Sequence, residues 1–168
     1  SEYCGNAKNV TIPETYNGAP VTSIANYVFA QHQEIKTVTL SNNLITIGDK
    51  AFFGDSSLVS VTFPNTNASP SLTSINTHAF AECFALKDLY LPLSLHEIGS
   101  FAFQDNRGLN DLFIPRNVRG IGTDAFAGCS NLTFYLESKE IPTKNLVLLN
   151  IINLLFDSLK ILLNYKIY

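Results

Sequence analysis

The residues of this 168-residue chain most able to do chemistry are three histidines and three cysteines, and their spacing argues against most of it. A thiol nucleophile needs a base and an orienting acid at one site. Cys83 and Cys129 have no such set within sequence reach, and His32, His78 and His96 share no common position along the chain. No CxxC or His-Cys cluster is present to hold a metal, and with Cys4 the cysteines are too few and too odd in number for a disulfide framework. Neither GxxxxGK[ST] nor GxGxxG occurs, so no glycine-rich loop cradles a phosphate. Asp88, Asp111 and Asp124 could supply paired carboxylates for hydrolysis, but they recur with a repeat and so carry little weight. An enzyme is not expected, nor is a cofactor or a metal.

Composition narrows the partners. With 46% hydrophobic and 15% charged residues, the chain is long enough for one domain that buries roughly two-thirds of its unfolded surface. Eleven basic residues stand against 14 acidic ones, a net charge of -3, with no block of either sign, so nucleic acid is not an expected partner. There is no Met and no charged-then-apolar opening, which reads as a mature product or a fragment.

The elements that must position any site come from an internal repeat. A small residue precedes Phe at Phe29, Phe52, Phe80, Phe103 and Phe126, at spacings of 23, 28, 23 and 23 residues. Five residues before each Phe stands Ile24, Ile47, Ile75, Ile98 or Ile121, and six after it Ile35, Leu58, Leu86, Leu109 or Leu132. An alternating apolar pair follows, as in Val38-Thr39-Leu40 and Leu112-Phe113-Ile114-Pro115. The longer units carry turn-forming insertions at Tyr16-Asn17-Gly18-Ala19-Pro20 and Thr66-Asn67-Ala68-Ser69-Pro70, which read as loops.

The unit L-x-x-V-x-I-P, turn, V-x-x-I-G-x-x-A-F-x-x-C-x-x-L resembles the BspA-like leucine-rich repeat of bacterial and protist surface proteins. Departures are local: Ser41 replaces a proline, Ala25 and Asn76 replace the glycine, and the Cys column reads His32, Asp55, Cys83, Asn106, Cys129. The resemblance implies an α/β leucine-rich-repeat solenoid of about five coils over residues 10–140. Short parallel β ladders and helical or 3₁₀ turns such as Asp49 to Phe53 would build it, with the phenylalanines as an interior column. Residues 1–9 read as part of a preceding repeat or a cap. Over 141–168 the composition shifts to Leu, Ile and Asn, and polar residues three and four apart fit an amphipathic helix capping the last coil. A membrane span, opposed by Asp157 and Lys160 in its apolar window, and an aberrant or disordered tail remain as alternatives.

What the repeat offers is a surface. Outward positions on the ladder are Asn9/Thr11, Thr37/Thr39, Ser60/Thr62, Asp88/Tyr90 and Asp111/Phe113, with Tyr90 and Phe113 expected as lateral neighbours about 4.8 Å apart in backbone spacing. Exposed aromatics on a rigid ladder are interaction anchors, although aromatics also favour strands for their own sake. Tyr90, Phe113, Asp88 and Asp111 are therefore the ligand-binding candidates. The hydroxyl array on the first three strands could instead order water, as an ice-binding face does. By resemblance, the expected role is a cell-surface or secreted protein-binding or adhesion module, with a protein or matrix macromolecule as ligand. The alternative is a structural spacer within a larger surface protein. Asn9, Asn67 and Asn131 stand in N-x-[ST] sequons, Asn67 the most accessible in its insertion loop.

Overall fold

An isoleucine, a phenylalanine and a leucine per coil cannot bury one another within that coil, so each coil closes only against its neighbours. A computed structural model describes residues 5–63 and 72–136, apart from the side chains of Asp88 and Leu136, and shows this stacking directly. The first strands are β1 (Asn9–Thr11), a hairpin of β2 (Thr15–Tyr16) and β3 (Ala19–Pro20), β4 (Ser23–Ile24) and β5 (Thr37–Thr39). There follow β6 (Thr46–Ile47), β7 (Ser60–Thr62), β8 (Ser74–Ile75), β9 (Asp88–Leu89) and β10 (Glu97–Ile98). The chain continues through β11 (Asp111–Ile114), β12 (Gly120–Ile121) and β13 (Thr133–Leu136).

Two parallel ladders run along the stack. One is ordered β1-β5-β7-β9, with β11-β13 as a separate pair, and the other is ordered β4-β6-β8-β10-β12. In the first, Val10, Val38, Val61 and Leu89 stand in one register and point inward, while the flanking hydroxyl residues point out. The 28-residue step from Asn9 to Thr37 leaves this register intact because the surplus leaves the coil as the β2–β3 hairpin. Asn17 and Gly18 form its two-residue turn with φ of 50° and 79°, the pair of left-handed conformations that a twist-matched hairpin turn requires. The second insertion, with the Asn67 sequon, lies outside the described residues.

Glycine follows the isoleucine of the second ladder in three of the five coils, where the preceding coil's backbone lies almost in contact. A Cβ on Gly99 would stand 2.6 Å from the Asn76 carbonyl carbon, and one on Gly48 would stand 2.7 Å from the Ile24 oxygen.

The third side of each coil departs from expectation. Among the described residues there is no helix, and the Asp49 to Phe53 stretch and its equivalents are chains of tight turns. Alternate amides divide their bonds. Ala51, Phe53 and Asp55 donate to the carbonyls three residues back, whereas Lys50, Phe52 and Gly54 donate across to Thr77, Ala79 and Ala81 of the next coil. A helical turn would direct all of these amides along its own axis. The alternation needs left-handed backbone every fourth residue, found at Tyr27 and Gln31, Lys50 and Gly54, His78 and Glu82, Phe101 and Asp105, Asp124 and Gly128. Most of these are not glycine, and each such residue costs roughly 1–2 kcal/mol. The inter-coil bonds offset that cost, together with contacts among the side chains displayed there: Lys50 Nζ lies over the Tyr27 and Phe53 rings, and His78 stacks on Phe101 at 4.8 Å.

Inside, Phe29, Phe52, Phe80, Phe103 and Phe126 form one column, with successive centroids 5.0, 5.0, 5.5 and 5.3 Å apart and planes within 5°. Ala51, Ala79, Ala102 and Ala125 beside them are fully buried, small enough to let the coils close to this distance. The expected C-terminal cap helix over 141–168 lies outside the described residues. No helix among the described residues is long and apolar enough to cross a membrane.

Phe80, stacked on both sides, should cost about 3–5 kcal/mol when replaced by Ala, because the ring leaves a cavity between two coils. Phe29 is less completely buried, 6% exposed against 0% for Phe80, and Phe29→Ala should cost less. Urea denaturation of the two variants checks the order, and equal losses would contradict a stack whose stability comes from neighbour interfaces.

Candidate functional site

Outward residues of the first ladder are small over three strands, Asn9/Thr11, Thr37/Thr39 and Ser60/Thr62, where Thr37 Oγ1 donates to Asn9 Oδ1 at 2.9 Å. The face then changes character. Tyr90 is 73% exposed and Phe113 52%, values that place both rings in solvent rather than in the core. They line a shallow groove of about 360 Å³ with Lys87, Leu89, Asn110, Asp111 and Tyr135. Of the four residues singled out from sequence, the structure brings Tyr90, Asp111 and Phe113 to this groove. Asp88 occupies the first position of β9, and its side chain lies outside the described residues.

Two features of the groove differ from the expected continuous ladder. First, β9 and β11 are not hydrogen-bonded partners, so Tyr90 and Phe113 flank a break between the four-stranded ladder and the β11–β13 pair. Second, the groove includes Tyr135, whose ring stacks on Phe113 at 4.8 Å and 19°. The repeat of 23 would align Phe134 with Asp111 and turn Tyr135 inward. Instead β13 pairs Thr133 with Asp111 and Tyr135 with Phe113, a 22-residue step that reverses the faces. Phe134 consequently packs edge-on against Phe126 and closes the ring column. The alternation Thr133-Phe134-Tyr135-Leu136 was the available signal for this strand, and the one-residue shortening obscured it.

The other candidate chemistry lies inside. Cys83 Sγ donates to the Phe52 carbonyl at 3.1 Å, Cys129 Sγ to Phe103 at 3.1 Å, and Asn106 Nδ2 to Phe80 at 2.9 Å. One column thus uses two kinds of donor, thiol and amide, for one task, satisfying the phenylalanine carbonyl of the preceding coil. Burial pushes the Cys83 thiol well above its ordinary range and that of Cys129 up to about 12, which removes the thiolate that nucleophilic attack or metal binding requires. The histidines are dispersed. His32 Nδ1 lies 2.8 Å from Glu34 Oε1, and His78 sits in the ring stack with its pKa lowered by partial burial and then by the Lys50 charge. No group of three metal-ligating side chains occurs among the described residues.

Comparison with known proteins agrees with this architecture. A family model described as BspA type leucine rich repeat region matches residues 2–133 in six copies. The chain is similar to a crystal structure of a T. pallidum leucine-rich-repeat protein, with 30% identity and a TM-score of 0.74 over 80% of this chain and 60% of that one. It is also similar to a leucine-rich-repeat protein from Bacteroides ovatus, at 30% identity and a TM-score of 0.66 over 82% of this chain and 35% of that one. A pneumococcal vaccine antigen, PcpA, shares the fold at 21% identity and a TM-score of 0.62, over 82% of this chain and 42% of that one. The chain therefore spans 60% or less of the length of each of these structures. No curated protein sequence matches it.

Cys83 and Cys129 should behave as unreactive free thiols. Thiol-labelling mass spectrometry on the native chain should leave both unmodified over a time in which the urea-unfolded chain is fully labelled. Rapid native labelling of either would contradict its place in the buried column.

Proposed function

Because the chain belongs to the BspA-type leucine-rich-repeat family, we propose that it is a non-enzymatic protein-binding or adhesion module of an extracellular or cell-surface protein. Its contact would centre on Tyr90 and Phe113, with Tyr135 completing the aromatic patch and Asp88 and Asp111 at its edge. The observation that carries this reading is the exposure of Tyr90 and Phe113 on a face whose first three rungs show only small polar side chains. Aromatic anchors bury large area on binding and lose little rotamer entropy, and a face held by stacked coils is organised before its partner arrives.

In mechanism the module presents a preformed surface and transfers no atoms. The Phe113–Tyr135 stack limits ring motion, so docking would freeze few rotors. Carboxylates at the rim favour a basic or amphipathic protein surface or matrix macromolecule, chiefly by raising the encounter rate, and make association salt-sensitive. Lys87 in the same groove offers one cation for a carboxylate or carbonyl of the partner. A structural spacer is the second reading, favoured by the uniform hydroxyl rungs from β1 to β7. The two differ in one respect: a spacer binds nothing by itself.

Surface plasmon resonance of the chain against purified matrix macromolecules tests the proposal. Tyr90→Ala or Phe113→Ala should weaken binding to a responding macromolecule by about 2 kcal/mol or more, roughly thirtyfold in Kd, while Thr39→Ala leaves it unchanged. An unaltered affinity in the double variant, with weakening by Thr39→Ala or Lys50→Ala, would move the site elsewhere. Absence of binding to every macromolecule tried would favour the spacer.

A further inference from the structure

One position of the interior donor column is occupied by an acid, Asp55. Cys129, Asn106 and Cys83 each donate to the carbonyl of the phenylalanine in the preceding coil, and for Cys129 and Asn106 that residue lies 26 positions back. Asp55 stands in the same column, and Phe29 lies 26 positions before it. An ionised aspartate has only acceptors to offer there. Asp55 is fully buried, and its Oδ1 accepts the His32 amide at 2.8 Å. Its Oδ2 is buried and makes no hydrogen bond, and no cation is ion-paired with it among the described residues.

We propose that Asp55 is held as a neutral carboxylic acid whose Oδ2 hydroxyl donates to the Phe29 carbonyl, so that the seam between these two coils is tight in acid and loosens as the pH rises. Ionisation would set a carboxylate oxygen against a carbonyl oxygen inside an apolar column, where neither can reach water. The charged group facing Asp55, Glu34 of the preceding coil, favours the same state by adding a like charge, while the backbone amides of His32 and Gln31 oppose it. Cys83 of the following coil is itself held neutral. Burial is the largest influence, and the Asp55 pKa stands at about 8 instead of the ordinary 3.8.

The sign follows from the raised value. Between the ordinary aspartate pKa and about 8, the folded chain keeps a proton that the unfolded chain has released. The contribution of this seam to stability is therefore complete below that window and is lost as pH rises through it. This is opposite to a salt-bridged carboxylate, whose contribution disappears in acid.

Asp55→Asn isolates the effect, because Asn106 shows that an amide fits this column and supplies the same donor. In urea titrations of the full 168-residue chain, the parent's unfolding constant should rise about tenfold per pH unit across the middle of the window, relative to the Asn variant. The carboxyl carbon resonance of Asp55, followed by NMR, should show the protonated form at neutral pH. Parallel pH profiles for parent and variant, or a carboxyl midpoint in the ordinary aspartate range, would overturn the proposal. Should the variant fail to fold, the carboxyl titration of the parent decides alone, a midpoint near 8 upholding it.

Discussion

The rise from one coil to the next constrains everything else in this molecule. Ring centroids 5.0 to 5.5 Å apart in the phenylalanine column nearly match the spacing of about 4.8 Å between hydrogen-bonded strands. Aromatic stacking and backbone pairing can therefore be satisfied together on different sides of one coil. Small residues are favoured where backbone meets backbone at that rise, which is why alanine flanks four of the rings and glycine follows the isoleucine at Gly48, Gly99 and Gly122. A larger side chain at either place would open the seam and strain the ladder on the far side.

Left-handed backbone at Tyr27, Lys50, His78, Phe101 and Asp124 is the local consequence of that global requirement. Half of the amides on this side must face the next coil, and the chain accepts strained conformations to point them there. The same logic governs the interior polar column. A thiol, an amide and, by the inference above, a neutral acid all do one job, since the coil demands a hydrogen-bond donor at that position rather than a particular residue. Burial is accordingly the largest cause of the raised pKa values of Asp55, Cys83 and Cys129.

The surface that the chain presents is what the coils leave outside. A rigid array with uniform spacing changes its chemistry only by changing the two outward residues of each rung, and here they change from hydroxyls to aromatics near β9, β11 and β13. The break in the ladder falls at the same place. Loss of pairing between β9 and β11 leaves a groove between Tyr90 and Phe113 that an unbroken sheet would have closed.

Periodicity in the sequence was enough to identify the coil, its inward columns, the family and the outward Tyr90, Asp111 and Phe113, because each column has one chemical task repeated at a constant interval. It also showed that five surplus residues after Pro13 must leave the stack. Three features needed tertiary structure. Helix and tight turn are indistinguishable in Asp49 to Phe53 until the adjacent coil competes for its amides. Tyr135 turns outward because one residue fewer in the last step shifts the register, and a shift by one reverses every side chain of a strand. Asp55 looks like an ordinary acid in sequence, and only the surrounding carbonyls and apolar rings of three stacked coils decide what that carboxyl can be.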